Sequence, residues 1–105
     1  MARIRIVSWR DIPAQVIVGE GRSAAKAVLP ERFEKAIDRA AMAVGAKGDD
    51  AYLAEWRRRD AGEAEGDPAA AAAALAAQMD ADYDDVRLRA LIANGGRAAA
   101  GEDAA

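Results

Sequence analysis

The chain of 105 residues contains no histidine, no cysteine and no threonine. These absences remove imidazole-based triads, thiol nucleophiles and zinc sites built on nitrogen or sulfur ligands. The hydroxyl nucleophiles that remain are Ser8, Ser23 and two tyrosines, and the sequence sets no lysine or carboxylate base beside either serine. Only carboxylate pairs are left for acid–base work, so the chain is expected to be non-catalytic and to need no cofactor. Lacking cysteine, it is not tied to a redox compartment. The amino end, MARIRIVSWR, alternates arginine with apolar residues and has neither the apolar run nor the cleavage site of a secretory leader. It predicts a cytoplasmic protein. The longest apolar stretch, AAAAAALAA, is mostly alanine, and nothing reads as a membrane span.

Large apolar side chains are also scarce. Hydrophobic residues make up 52% of the chain, but 30 of its residues are alanine. The core is therefore modest, and burial against a partner is an expected source of stability. A formal charge of −3 draws the whole molecule to neither nucleic acid nor anionic lipid. Any basic binding site must be local.

Period-two patterning over residues 3–9 and 14–19 predicts two strands, joined by the turn RDIP, with Pro13 tolerated at the opening of the second. A third, shorter strand is predicted over 24–29. Pro30 followed by Glu31 and Glu34 marks a helix start, and Phe33, Ile37, Ala41 and Val44 follow at helical spacing over 30–44. A second helix is expected over 49–59, with the arginine triplet of residues 57–59 in its last turn, and a polar linker over DAGEAEG. Asp67-Pro68 opens a helical region over 68–93, either one helix or two with a bend near Asp82. The tail, 97–105, is predicted to be disordered. The expected fold is α+β: a three-stranded antiparallel meander packed on one face by three or four helices, in a single domain over 1–96.

Two short motifs read as structure. GEGRSA resembles a dinucleotide fingerprint, but the helix that should open on its third position starts several residues too late, so it is a turn. DADYDD resembles the start of a calcium loop, but Asp85 stands where glycine is needed and Leu91 where glutamate is. It is a solvated helix face. Met42 and Met79 are expected to fill the core.

If Ile4, Ile6, Val16 and Val18 face the helices, the other side of the sheet shows Arg3, Arg5, Val7, Trp9 and Ile17. Such a surface suits protein docking, because Trp and Arg dominate interface energetics, and more weakly the stacking of single-stranded RNA. The alternative is that Trp9 folds over its own hairpin as a lid. Candidate partner contacts are Arg3, Arg5, Trp9, Arg10 and Trp56. A pocket lined by Asp11, Arg32 and Asp38 would instead favour a small-molecule binder.

The run Trp9, Asp11, Ile12, Pro13, Gln15, Val16, followed by Leu29, Pro30, Arg32, Phe33, Ile37, Asp38, Ala41 and Met42, resembles the bacterial virulence-factor domain family. That family is named for a staphylococcal conserved virulence factor in which a similar domain accompanies helical repeats, and the likeness covers about residues 3–92. It implies a small stand-alone proteobacterial module with an accessory role and no assigned catalytic residues. It also suggests a link to corrinoid- and folate-dependent methyl transfer, with a component of a methyltransferase system as partner. Without histidine the chain cannot supply the usual imidazole ligand to cobalt.

Overall fold

The computed structural model describes residues 2–45 and 49–98. Its elements are β1 (Ala2–Trp9), β2 (Ile12–Val18), β3 (Ala25–Val28), α1 (Glu31–Ala43), α2 (Asp49–Leu53), β4 (Trp56–Ala64), α3 (Pro68–Asp82) and α4 (Asp85–Ala93). The expected meander is present, but the sheet has a fourth strand and the antiparallel order β3-β2-β1-β4. The predicted 49–59 helix and the linker after it are corrected accordingly: α2 is a single turn, and the arginine triplet lies in β4.

β4 is almost wholly exposed between its end residues, so it has no apolar alternation to betray it. Its Arg, Ala and Glu content is, if anything, helical. Backbone pairing decides the outcome: the outer edge of β1 would otherwise leave a row of amides and carbonyls unpaired. The charges along β4 blunt the new edge against further strand addition.

Between β1 and β2 the register shifts after Val7, so that Ser8 faces Pro13 and Ala14 is left over as a bulge. This is where a proline can sit without costing a ladder bond. Register also sorts the side chains by face. Ile4, Ile6, Val16 and Val18 share one face with Ala25 and Ala27, whereas Arg5, Val7, Ile17, Lys26 and Val28 share the other. The first set joins Phe33 and Ile37 of α1, Ala72 and Met79 of α3, and Leu88 and Leu91 of α4 in one core. The second set stays outside it. The long alanine run lets α3 lie close against β2 and β3.

The 68–93 region is two helices. Asp67 accepts from the Ala70 amide at 3.0 Å to cap α3, and Asp84 accepts from the Arg87 amide at 2.8 Å to cap α4. Met79 is buried as expected, but Met42 is 76% exposed, because it lies off the stripe Phe33, Ala36, Ile37, Ala40 and Ala41 that α1 turns inward. Of the tail expected to be disordered, Arg97 and Ala98 are placed, with the Ala98 amide bonded to Asp11 Oδ2 at 2.7 Å; 99–105 lie outside the described residues. Among the described residues, no helix is long and apolar enough to cross a membrane.

The turn after α4 closes over the first hairpin. Gly96 has φ +87°, and a Cβ built there would lie 2.9 Å from Cζ3 of Trp9. Gly62 has a similar φ of +99°, with nothing within 4 Å of its Cβ position. Gly62→Ala should therefore cost about 1–2 kcal/mol for the backbone alone, and Gly96→Ala about 2–4 kcal/mol once overpacking is added. Urea denaturation of the two variants checks this; equal losses would mean that the turn does not press on Trp9.

Candidate functional site

The hairpin tip is locked from two sides. Arg10 takes a left-handed φ of 53° in the two-residue connection, a strained conformation for a side-chain-bearing residue. Its amide bonds to the Glu55 carbonyl at 3.0 Å, and the Asp11 amide to the Gly96 carbonyl at 2.8 Å, which hold that strain in place. The Arg10 side chain reaches Glu55 at 2.9 Å and the Gly95 carbonyl at 2.7 Å, and its guanidinium lies 5.0 Å from the Trp9 ring centre.

Trp9 is 0% exposed. Strand alternation predicts the side of Val7, but at the strand end its ring joins the one hydrophobic core, with Tyr52 of α2 and Gly96 after α4 against it. Its indole N–H donates to the Tyr52 carbonyl at 2.9 Å, and its ring stacks on Tyr52 with centroids 6.1 Å apart. One candidate contact is thereby corrected: Trp9 is an internal fastening, not a docking face, while Arg10 is fastened to Glu55 at the edge of the cleft beside β4. Arg3 and Arg5 do lie at the surface, where both converge on Glu20, at 3.6 and 3.0 Å. Trp56 is half-buried opposite Trp9.

The structure does not bring Asp11, Arg32 and Asp38 together. Asp11 is held by Ala98. Arg32 forks onto Asp80 at 3.1 and 2.7 Å and covers the Phe33 ring at 4.6 Å. Asp38 is exposed on α1.

What β4 assembles instead is a cationic cleft. Register sets Arg57 opposite Ser8, Arg58 opposite Val7 and Arg59 opposite Ile6. α4 adds Arg87, and Tyr83 precedes that helix. The resulting cavity of about 290 Å³ is lined by these four arginines and by Arg10, with Ser8, Pro13, Tyr83 and Leu91 among the other walls and Asp11 as its one acidic residue. Among the described residues, Arg57, Arg58, Arg59 and Arg87 have no carboxylate within ion-pair distance. Arg87 is held by stacking on Tyr83 at 3.9 Å from the ring centre. Guanidinium groups remain charged at any physiological pH and offer forked donors suited to carboxylate or phosphate. The Ser8 hydroxyl donates to the Arg10 carbonyl at 3.0 Å. Sequence reasoning missed this cleft because the triplet was read on a helix; read on a strand, Arg57 and Arg59 fall on one face.

A second cleft, of about 210 Å³, has the opposite character. Phe33, Tyr52 and Trp56 line it together with Ala14, Leu29 and Ile37, and Glu34 is its only charged residue. Burial raises the Tyr52 phenol above its ordinary value of 10.0; the negative charges of Asp38 and Glu34 push the same way, and the Trp56 side chain opposes them. The folded state therefore keeps this proton to higher pH than the unfolded chain, so stability is lost as pH rises from 10.0 through the folded value. Denaturation between pH 9 and 11.5 should show that fall, and Tyr52→Phe should flatten it relative to Tyr83→Phe. An identical fall in both variants would contradict the shift.

No curated protein matches the chain. No solved structure does either. The family described as Virulence factor matches residues 7–92, a span that takes in β1 from Val7, the whole of β4 and most of α4. The arginine triplet, Trp9 and the three aromatics of the second cleft all fall inside it. The chain belongs to the virulence-factor family.

Proposed function

We propose that the protein is a small non-catalytic accessory module that recognises a partner protein by receiving an acidic segment of it in the arginine-lined cleft. One observation carries this reading: Arg57, Arg58 and Arg59 of β4 and Arg87 of α4 line one cavity, Arg57 and Arg59 from the same strand face, and none of the four has a carboxylate partner among the described residues. Like charges held together raise the energy of the empty site, and an incoming anion relieves that repulsion while gaining forked hydrogen bonds. The cleft is local, as a chain of net charge −3 requires.

The size of the cavity, near the lower end of small-molecule sites, favours a second occupant of the same charge. A carboxylate-bearing small molecule, such as a folate in methyl-transfer metabolism, would suit the same guanidinium groups. That reading rests on the family likeness together with the charge of the cleft. The RNA reading has lost its stacking platform, because Trp9 is enclosed.

Fluorescence anisotropy with a labelled hexaglutamate peptide tests the proposal. Arg57→Glu combined with Arg59→Glu should weaken binding at least about tenfold, and raising the salt should weaken wild-type binding. Arg3→Glu with Arg5→Glu, which lie outside the cleft, should leave it unchanged. Equal binding by the wild type and the Arg57/Arg59 variant would overturn the assignment.

A further inference from the structure

The aromatic cleft has the composition of a site for an organic cation. The rings of Tyr52 and Trp56 stand nearly perpendicular, at 80° with centroids 5.9 Å apart, and so form two walls of a corner. Phe33 closes the floor, but its ring is buried and already covered by Arg32 at 4.6 Å, so Tyr52 and Trp56 are the open aromatic walls; no lysine or arginine lines the cleft. Glu34 is the one charge on its wall. Aromatic faces carry negative electrostatic potential and attract cations, most strongly where water is excluded. A carboxylate at the rim adds to that attraction.

The walls are also fixed in advance. The Tyr52 ring is backed by the fully enclosed Trp9, which holds the Tyr52 carbonyl by its indole N–H. Trp56 opens β4 and is paired with Trp9 across the strands. A corner held in this way loses little conformational freedom on binding.

The apolar remainder of the lining, Ala14, Val28, Leu29 and Ile37, selects among cations. It offers nothing to replace the hydration shell of a primary ammonium or a metal ion, and among the described residues no group of three or more acidic side chains gathers to ligate a metal. A methylated ammonium, weakly hydrated and apolar at its surface, matches both the rings and the aliphatic walls. We propose that the cleft walled by Tyr52 and Trp56, with Phe33 at its floor and Glu34 at its rim, binds a methylated ammonium group. This inference is independent of the arginine cleft. Burial is the main cause of the raised Tyr52 phenol pKa, and the negative charges of Asp38 and Glu34 add to it, so two carboxylates act on the same ring before a ligand arrives.

Choline and its uncharged isostere 3,3-dimethylbutan-1-ol separate charge recognition from simple apolar burial. Titrated into the full chain and followed by tryptophan fluorescence and calorimetry, choline should bind at least about tenfold more tightly than the isostere. Glu34→Gln, a change at an exposed residue that leaves the core intact, should weaken choline several-fold and leave the isostere unaffected. Trp56→Leu should weaken choline further. N-acetyl-trimethyllysine amide forms a parallel arm: tighter binding of it than of choline would name a modified protein side chain as the source, and the reverse a free solute. Equal binding of choline and the isostere, or no saturable binding of any of these cations, would overturn the proposal.

Discussion

The enclosure of Trp9 is the constraint on which the rest of this small structure depends. One indole joins four parts of the chain: its own hairpin, α2 through Tyr52, the start of β4 through Trp56, and the turn after α4 through Gly96. Arg10, directly after it, fastens the same parts again through Glu55 and the Gly95 carbonyl. Burying a tryptophan contributes more apolar area than any other side chain can, and an alanine-rich chain has few such resources. The hairpin tip is therefore a structural centre rather than a surface, and the left-handed Arg10 is affordable only because its neighbours hold it.

β4 connects that centre to both clefts. Its first residue, Trp56, faces the aromatic corner, and the next three line the cationic cavity. An acidic protein thus displays two small sites of opposite preference on either side of one residue boundary. Both sites depend on β4 keeping its register against β1, which the Trp9–Trp56 pairing sets at one end and Ala2–Ala64 at the other. A slip by one residue would exchange the faces of Arg57, Arg58 and Arg59.

Where side-chain patterning drives structure, the sequence was legible. The β1-β2-β3 meander follows from alternating isoleucine and valine, α1 from Pro30, Phe33 and Ile37, and the start of α3 from the cap Asp67; whether 68–93 was one helix or two was decided only by the Asp84 cap. β4 was not legible, because it forms through backbone pairing on an open edge and keeps its side chains in solvent, leaving no periodic trace. Trp9 was misplaced for a related reason. Alternation set it opposite the core, but at the strand end its ring turns into the core, closed over by Tyr52 of α2, 43 residues further along the chain and in a helix of a single turn. The arginine cleft was hidden by the same error, since three consecutive arginines spread around a helix but divide between two faces on a strand.

The most direct test of this account is hydrogen exchange at the Trp9 indole nitrogen, followed by NMR beside the amides of β1. An indole N–H enclosed at 0% exposure and bonded to Tyr52 should exchange as slowly as the neighbouring strand amides, through the same opening of the fold. Free exchange of that proton while the β1 amides stay protected would mean that α2 does not cover the hairpin, and that neither cleft is organised as described.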